Sequence, residues 1–269
     1  MSLTFIDWFA GCGGFRRGME LAGHKCVGFC EVDKYAVMSY TSMHLITEEQ
    51  RKYLVTLPLK QRQKEILKSE YRNGEWYADD IRHVNAGSIP KSECWCFGFP
   101  CQDISVAGKQ KGFEGNRSSL FFRVMQLLRQ LPEGDKPEFL FIENVRNLLS
   151  IHGGWDFARV LSEMDRGGYD AQWQVLNSKD FGVPQHRERV FIIGHLRGTP
   201  TKEILPFTDS NKPSDEVSGQ LYANTLMNVQ RIANGIYIGE GGVLKVNGFH
   251  RESREISEMD GERPIFQTH

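Results

Sequence analysis

The sequence is short of several things, and each shortage excludes something. Met1-Ser2-Leu3-Thr4-Phe5 has neither a basic stretch nor a long apolar one, so no secretory leader is expected. No apolar run approaches the roughly 18 residues needed to span a bilayer, which argues against a membrane protein. Cysteine is sparse, with six in 269 residues, and Cys26-x3-Cys30 and Cys94-x-Cys96 miss the paired C-x2-C spacing of zinc knuckles. The expectation is therefore no metal, and thiols kept reduced in a cytoplasmic setting. Net charge is also missing: 33 Lys and Arg against 34 Asp and Glu leave −1. That excludes a global basic field for nucleic acid, but not a local basic cleft. Internal repeats and low-complexity tracts are absent as well.

What is present is an alternation. Leu3 to Phe9 reads as a buried strand, a glycine cluster follows at Gly11, Gly13 and Gly14, and Phe15 to Ala22 has helical spacing. Cys26 to Cys30 is a second short strand that ends in Glu31-Val32-Asp33. Strand, glycine turn, helix and strand open a doubly wound α/β domain. Glu48 to Arg72 predicts an exposed helical pair broken at Pro58, its charges a solvated face. Further strands are expected at Glu93 to Phe99, Phe139 to Ile142, Trp173 to Leu176 and Arg189 to Ile193, and helices at Ser119 to Leu131 and Trp155 to Met164. The sheet should be mostly parallel, with antiparallel strands admissible at its end. Composition shifts after Gly198, so 1–198 is expected to be one domain and 199–269 a small loop-rich region or tail.

Phe9-Ala10-Gly11-Cys12-Gly13-Gly14 lies between the first strand and the first helix, where glycines permit a tight turn and close approach of a ligand to the backbone. Arg16 stands where G-x-G-x-x-G would have its last glycine, which weakens the case for a nicotinamide cofactor. Glu31, at the end of the second strand, sits where an acid accepts ribose hydroxyls, and Asp80 could take an adenine amino group. A glycine turn alone can be merely structural. With the acid beside it a nucleoside-type cofactor is the better reading, although these residues do not separate one nucleoside from another.

Phe97-Gly98-Phe99-Pro100-Cys101-Gln102 places a thiol past the carboxyl end of a strand, the edge at which open α/β sheets bind ligands. Pro100 fixes its own φ and so directs the next side chain. A lone cysteine is more often structural, but the polar, turn-like setting favours a reactive thiol. Glu143, in Glu143-Asn144-Val145, closes another apolar strand as a candidate general acid. Arg187 and Arg189 add two guanidinium groups suited to a phosphate or a thiolate.

In order along the chain, Phe9-Ala-Gly-Cys-Gly-Gly14, Glu31-Val-Asp33, Asp80-Ile81, Gly98-Phe-Pro-Cys-Gln-Asp-Ile-Ser105, Arg117-Ser-Ser-Leu-Phe121, Glu143-Asn-Val145 and Gln185-His-Arg-Glu-Arg189 resemble the successive motifs of bacterial and phage cytosine-C5 DNA methyltransferases. The resemblance covers roughly residues 3 to 195 and implies a Rossmann-like domain, S-adenosylmethionine as cofactor and cytosine in double-stranded DNA as substrate. It implies that Phe9, Gly11, Gly13, Gly14, Glu31, Val32, Asp80, Ile81, Gly98, Pro100 and Leu120 line the cofactor pocket. Cys101 is then the nucleophile toward C6, Glu143 the group that bonds N3, and Arg187 and Arg189 their supports. Gln102, Ser105, Lys109, Lys111 and Arg117 would meet the DNA as the loop closes, with the base flipped out of the stack. A cytoplasmic enzyme of a restriction–modification or phage setting is implied.

The pattern departs in places. Cys12 stands where the family usually has a branched aliphatic, and Ser118 where glycine is common. After the arginine motif, the usual Leu-Gln-Gly-Phe-like segment and final Gly-Asn helix are not found. Residues 199–269 are then expected to hold a partial target-recognition region. The chain would be either truncated or one half of a split enzyme, completed by a second polypeptide and weakly active or inactive without it. Two alternatives remain: a non-catalytic DNA-binding relic, against which the complete catalytic set argues, and a tRNA cytosine-C5 methyltransferase, disfavoured because that branch has Pro-Pro-Cys where this chain has Phe99-Pro100-Cys101.

Overall fold

The computed structural model describes residues 2–99, 120–182, 184–199, 236–239 and 243–246. The chain divides into two compact units, one made of Met1–Gly98 with Gln126–Phe141, the other of Phe99–Met125 with Ile142–His269.

The first unit is built on β1 (Thr4–Trp8), which pairs in parallel with β2 (Lys25–Cys30) on one side and with β4 (Cys94–Gly98) on the other; β2 in turn carries β3 (Trp76–Ala78). The order is β3-β2-β1-β4, followed by the start of β5 (Phe139–Val145). β1 is buried from Phe5 to Trp8 because a parallel strand is covered on both faces. Phe5 joins Met19, Cys26, Cys94 and Cys96 under α1 (Gly14–Leu21), with Phe15 and Phe139 packed against them. Trp8, on the opposite face, meets Trp95 and Trp76 at centroid distances of 5.0 and 5.6 Å.

α2 (Lys34–Tyr40) starts where the Asp33 side chain accepts hydrogen bonds from the Tyr35 and Ala36 amides. It widens into a π-helical turn at Thr41–Leu45. The expected helical pair is α3 (Glu48–Thr56), opened by a Thr47–Gln50 capping box, and α4 (Leu59–Glu65), which Pro58 precedes as N-cap. Most of its charges face solvent, Arg62 and Glu65 being half-buried, and Leu54, Ile66 and Tyr71 form a small core of their own.

The second unit contains the start of α5 (Leu120–Gln130), the end of β5, α6 (Trp155–Arg166), β6 (Tyr169–Asn177), β7 (Glu188–Leu196), β8 (Ile236–Gly239) and β9 (Val243–Val246), with strand order β5-β7-β6-β9-β8. β6 and β7 pair antiparallel along nine residues each. Phe157 of α6 packs edge-on against Trp173 of β6 at 5.2 Å. This is the doubly wound, mostly parallel α/β fold with an antiparallel end that the sequence predicts. Among the described residues no helix is long and apolar enough to cross a membrane.

Candidate active site

The register of the first unit aligns the carboxyl ends of its strands, since Trp8 of β1 is opposite Cys30 of β2 and Phe97 of β4, and Cys30 is opposite Ala78 of β3. The predicted cofactor residues continue from those ends. Phe9 leaves β1 with φ 54°, an unusual value for a side chain that is not glycine, and Gly11 and Gly13 follow at 54° and 85°. A side chain at Gly11 would meet nothing within 4 Å, so the turn has an open side there, whereas one at Gly13 would run into His44 at 2.3 Å. Gly14 is the first residue of α1 and exposed.

Glu31, just past β2, accepts from the Gly11 amide with Oε2 at 2.8 Å and from the Asp33 amide with Oε1 at 2.7 Å. The carboxylate is thereby locked to the glycine turn while each oxygen keeps a lone pair for a hydroxyl. Val32 beside it is 69% exposed, an apolar surface next to the acid. Asp80 follows β3, but its carboxylate is already engaged by the exposed Arg82, which donates from Nε and Nη2 and holds the acid below the usual carboxylate range. An adenine amino group would have to share or displace that guanidinium. Ile81 is buried, and Gly98 ends β4.

Acidic groups converge at this edge. Burial pushes the Cys30 thiol up to about 12, and Glu31, Asp80 and Asp79 add to the push. Asp7 of β1 is 1% exposed, and desolvation raises its carboxyl well above the ordinary range against the pull of the Arg16 backbone amide. Arg16 itself is clamped, donating to Glu75 with Nη1 and Nη2 at 2.7 and 2.8 Å and to Glu20 with Nε at 2.8 Å. The arginine that breaks the dinucleotide pattern is thus a buried strut between α1 and the approach to β3.

The second unit supplies different groups. Glu143 lies near the end of β5, and its Oε1 is 2.7 Å from Nε of Arg189 near the start of β7; the two side chains are 27% and 20% exposed. Arg146, directly after β5, pairs with Glu188, the first residue of β7. Two ion pairs therefore cross between the same strand ends. Arg187 precedes β7 with an exposed side chain, while its amide donates to Asn177 Oδ1 and its carbonyl accepts from Ser178 N–H. Leu120 is the half-buried first residue of α5. Pro100, Cys101, Gln102, Ser105, Lys109, Lys111 and Arg117 lie outside the described residues.

One residue of this region escaped the sequence reading. Asn144 is 3% exposed, accepts from the Val145 amide and donates from Nδ2 to the carbonyl of Phe99 at 2.7 Å. It ties the end of β5 to the main chain two residues before Cys101. Its place beside Glu143 was the available signal, but its partner is 45 residues away in sequence and emerges only on folding.

The thiols sort themselves. Cys26 is pushed up to about 12 by burial and Cys96 well above the ordinary thiol range, so with Cys30 they carry almost no thiolate at neutral pH. No cluster of three or more metal-ligating side chains occurs among the described residues.

A glycine turn with an acid fixed to it stands on the carboxyl edge of a mostly parallel sheet, the edge at which open α/β sheets bind ligands. The model of the C-5 cytosine-specific DNA methylase family matches residues 3–237, and the chain belongs to that family. It is similar to the Type II methyltransferase M.HhaI of Haemophilus parahaemolyticus, 38% identical over 191 residues that make up 71% of this chain and 48% of that protein. It is also similar to the Type II methyltransferase M2.ScrFI of Lactococcus lactis subsp. cremoris, 31% identical over 256 residues covering 82% and 70%. The chain spans about half the length of the first curated relatives it matches. In fold it is like the S. pombe Dnmt2 methyltransferase, with a TM-score of 0.56 at 18% identity over 80% of this chain and 58% of that one.

Proposed function

We propose that this chain carries the catalytic machinery for methylating C5 of cytosine in double-stranded DNA, with S-adenosylmethionine as donor and Cys101 as nucleophile. The observation that carries the reading is the Glu143–Arg189 pair at 2.7 Å, a partly enclosed carboxylate oriented by a guanidinium at the strand end where the family motif expects one. The cofactor fits the residues present: an open side at Gly11, a carboxylate with free lone pairs at Glu31 and exposed apolar surface at Val32.

C5 of cytosine is a poor nucleophile. The Cys101 thiolate adds to C6, and the electron pair displaced through the ring makes C5 enamine-like. Glu143, protonated at that moment, hydrogen-bonds N3 and stabilises the developing charge, while Arg189 holds its carboxyl group in place. S-adenosylmethionine, held by the glycine turn and Glu31, would supply an electrophilic methyl group to C5 and leave as the neutral thioether S-adenosylhomocysteine. Loss of the C5 proton then expels Cys101 as thiolate and restores the aromatic ring. Arg187, with its main chain pinned and its side chain in solvent, is free to hold the base or a neighbouring phosphate.

The test is covalent trapping. A duplex with 5-fluorocytosine cannot lose the C5 substituent, so with cofactor it should form a stable adduct with this chain, and Cys101→Ser should form none. An adduct on RNA but not on DNA would replace this reading with the RNA-directed one.

A further inference from the structure

The catalytic scheme makes no use of the helix that follows β2, yet that helix reaches the glycine turn. α2 does not stop at Tyr40. It widens into the π-helical turn, closed by the Ile46 amide donating to the Thr41 carbonyl at 3.2 Å, and such an extra residue redirects the side chains that it carries. The side chain redirected here is His44. Its Nε2 lies 3.0 Å from the carbonyl oxygen of Cys12, and since a carbonyl only accepts, the ring donates from Nε2. The same ring fills the space beside Gly13, where an added Cβ would stand 2.3 Å from Nε2 and 2.7 Å from Cδ2.

The ring is itself held. Tyr40 meets it edge-on at 5.0 Å and stacks on Phe29 at 4.1 Å, and Arg16 donates to the Tyr40 hydroxyl at 3.4 Å. The main chain of the π-helical turn is tied from outside, with Asn73 Nδ2 donating to the Leu45 carbonyl at 2.6 Å and Arg51 Nη2 to the Ser42 carbonyl at 2.8 Å. Arg51 belongs to the charged stretch around α3 and α4 and Asn73 directly follows it, a region that otherwise has no part in the chemistry.

We infer that His44 is a positioning residue for the cofactor turn: it holds the Cys12 carbonyl and walls Gly13, and Arg51 of α3 and Asn73, after the 3-10 turn Ser69–Arg72, brace it. The inference rests on the reading of Phe9 to Gly14 as the S-adenosylmethionine turn.

His44→Phe keeps the ring volume and loses the donor, whereas His44→Gln returns an amide N–H at the reach of Nε2. Two measurements on the whole chain separate the inference from the reading it rests on: amide hydrogen exchange of Ala10 to Phe15 without cofactor, and S-adenosylmethionine affinity by calorimetry. His44→Phe should speed exchange across the turn and weaken cofactor binding about three- to tenfold, the range one hydrogen bond spans, with His44→Gln recovering most of both. Asn73→Gly, which keeps the left-handed backbone at that position, should give the same pattern at roughly twofold. Unchanged exchange in His44→Phe overturns the brace. Faster exchange with unchanged cofactor affinity leaves the brace standing but overturns its role in cofactor binding. Failure of the unmodified chain to bind S-adenosylmethionine overturns the cofactor assignment, whatever the exchange shows.

Discussion

In the first unit the proposed site is mostly main chain: the turn from Phe9 to Gly14, its amides and carbonyls, and one carboxylate clamped to a turn amide. In the second unit it consists of charged side chains, Glu143, Arg189 and Arg187, standing at strand ends and partly in solvent. Main-chain sites are shaped by what packs behind them and fail when an atom is added. Side-chain sites keep their shape under isosteric replacement and fail when a charge or a proton is removed. Each kind of substitution should therefore affect one unit and spare the other.

The largest effect is expected at Glu143. Glu143→Gln preserves volume and removes the acid, so kcat should fall about 10²- to 10⁴-fold while S-adenosylmethionine affinity stays within about twofold. Loss of cofactor affinity in this variant would break the comparison. Gly13→Ala should act in the opposite sense. Its Cβ collides with His44 at a φ of 85°, so urea unfolding should show a loss of about 2–5 kcal/mol along with cofactor binding. Asn144→Asp sharpens the contrast, because it alters no volume and replaces the donor facing the Phe99 carbonyl with an acceptor. Single-turnover methylation should slow by the equivalent of about 1–3 kcal/mol, with the KM values for cofactor and DNA unmoved.

Most of the framework was legible in the sequence, for physical reasons. β1, α1 and β2 are read from an apolar run, a glycine cluster and a helical period, and the structure places them at Thr4–Trp8, Gly14–Leu21 and Lys25–Cys30. Pro58 marked the break between α3 and α4 because its ring ends one helix and caps the next. β6 and β7 run longer than their apolar cores because Asp170, Gln172, Gln174 and Asn177 sit inside a strand whose main chain pairs regardless of side chain. α2 is not legible in the sequence: Lys34-Tyr-Ala-Val-Met-Ser-Tyr40 spans only seven residues, too few for a helical period to show, and is started by the Asp33 cap. Of the proposed site, Glu31 and Glu143 stand out in the sequence because one follows an apolar strand and the other lies near the end of one. Arg16, His44 and Asn144 do not, because each acts through a partner far away in sequence, Glu75, Cys12 and Phe99 respectively.

The antiparallel hairpin of β6 and β7 also bears on how the chain reaches its fold. Its nine pairs join neighbouring stretches, and Asn177 closes the connection by accepting from the amides of both Lys179 and Arg187. Hairpins of this kind form within about 1–10 μs. The β1–β4 ladder, by contrast, joins residues as far apart in sequence as Phe5 and Cys94 and must wait for a long loop to close. Arg189 and Glu188 are thus set early, on a piece that nucleates locally, and β4 joins β1 late. Mutations in the hairpin should therefore slow folding, whereas mutations in the β1–β4 ladder should mainly speed unfolding.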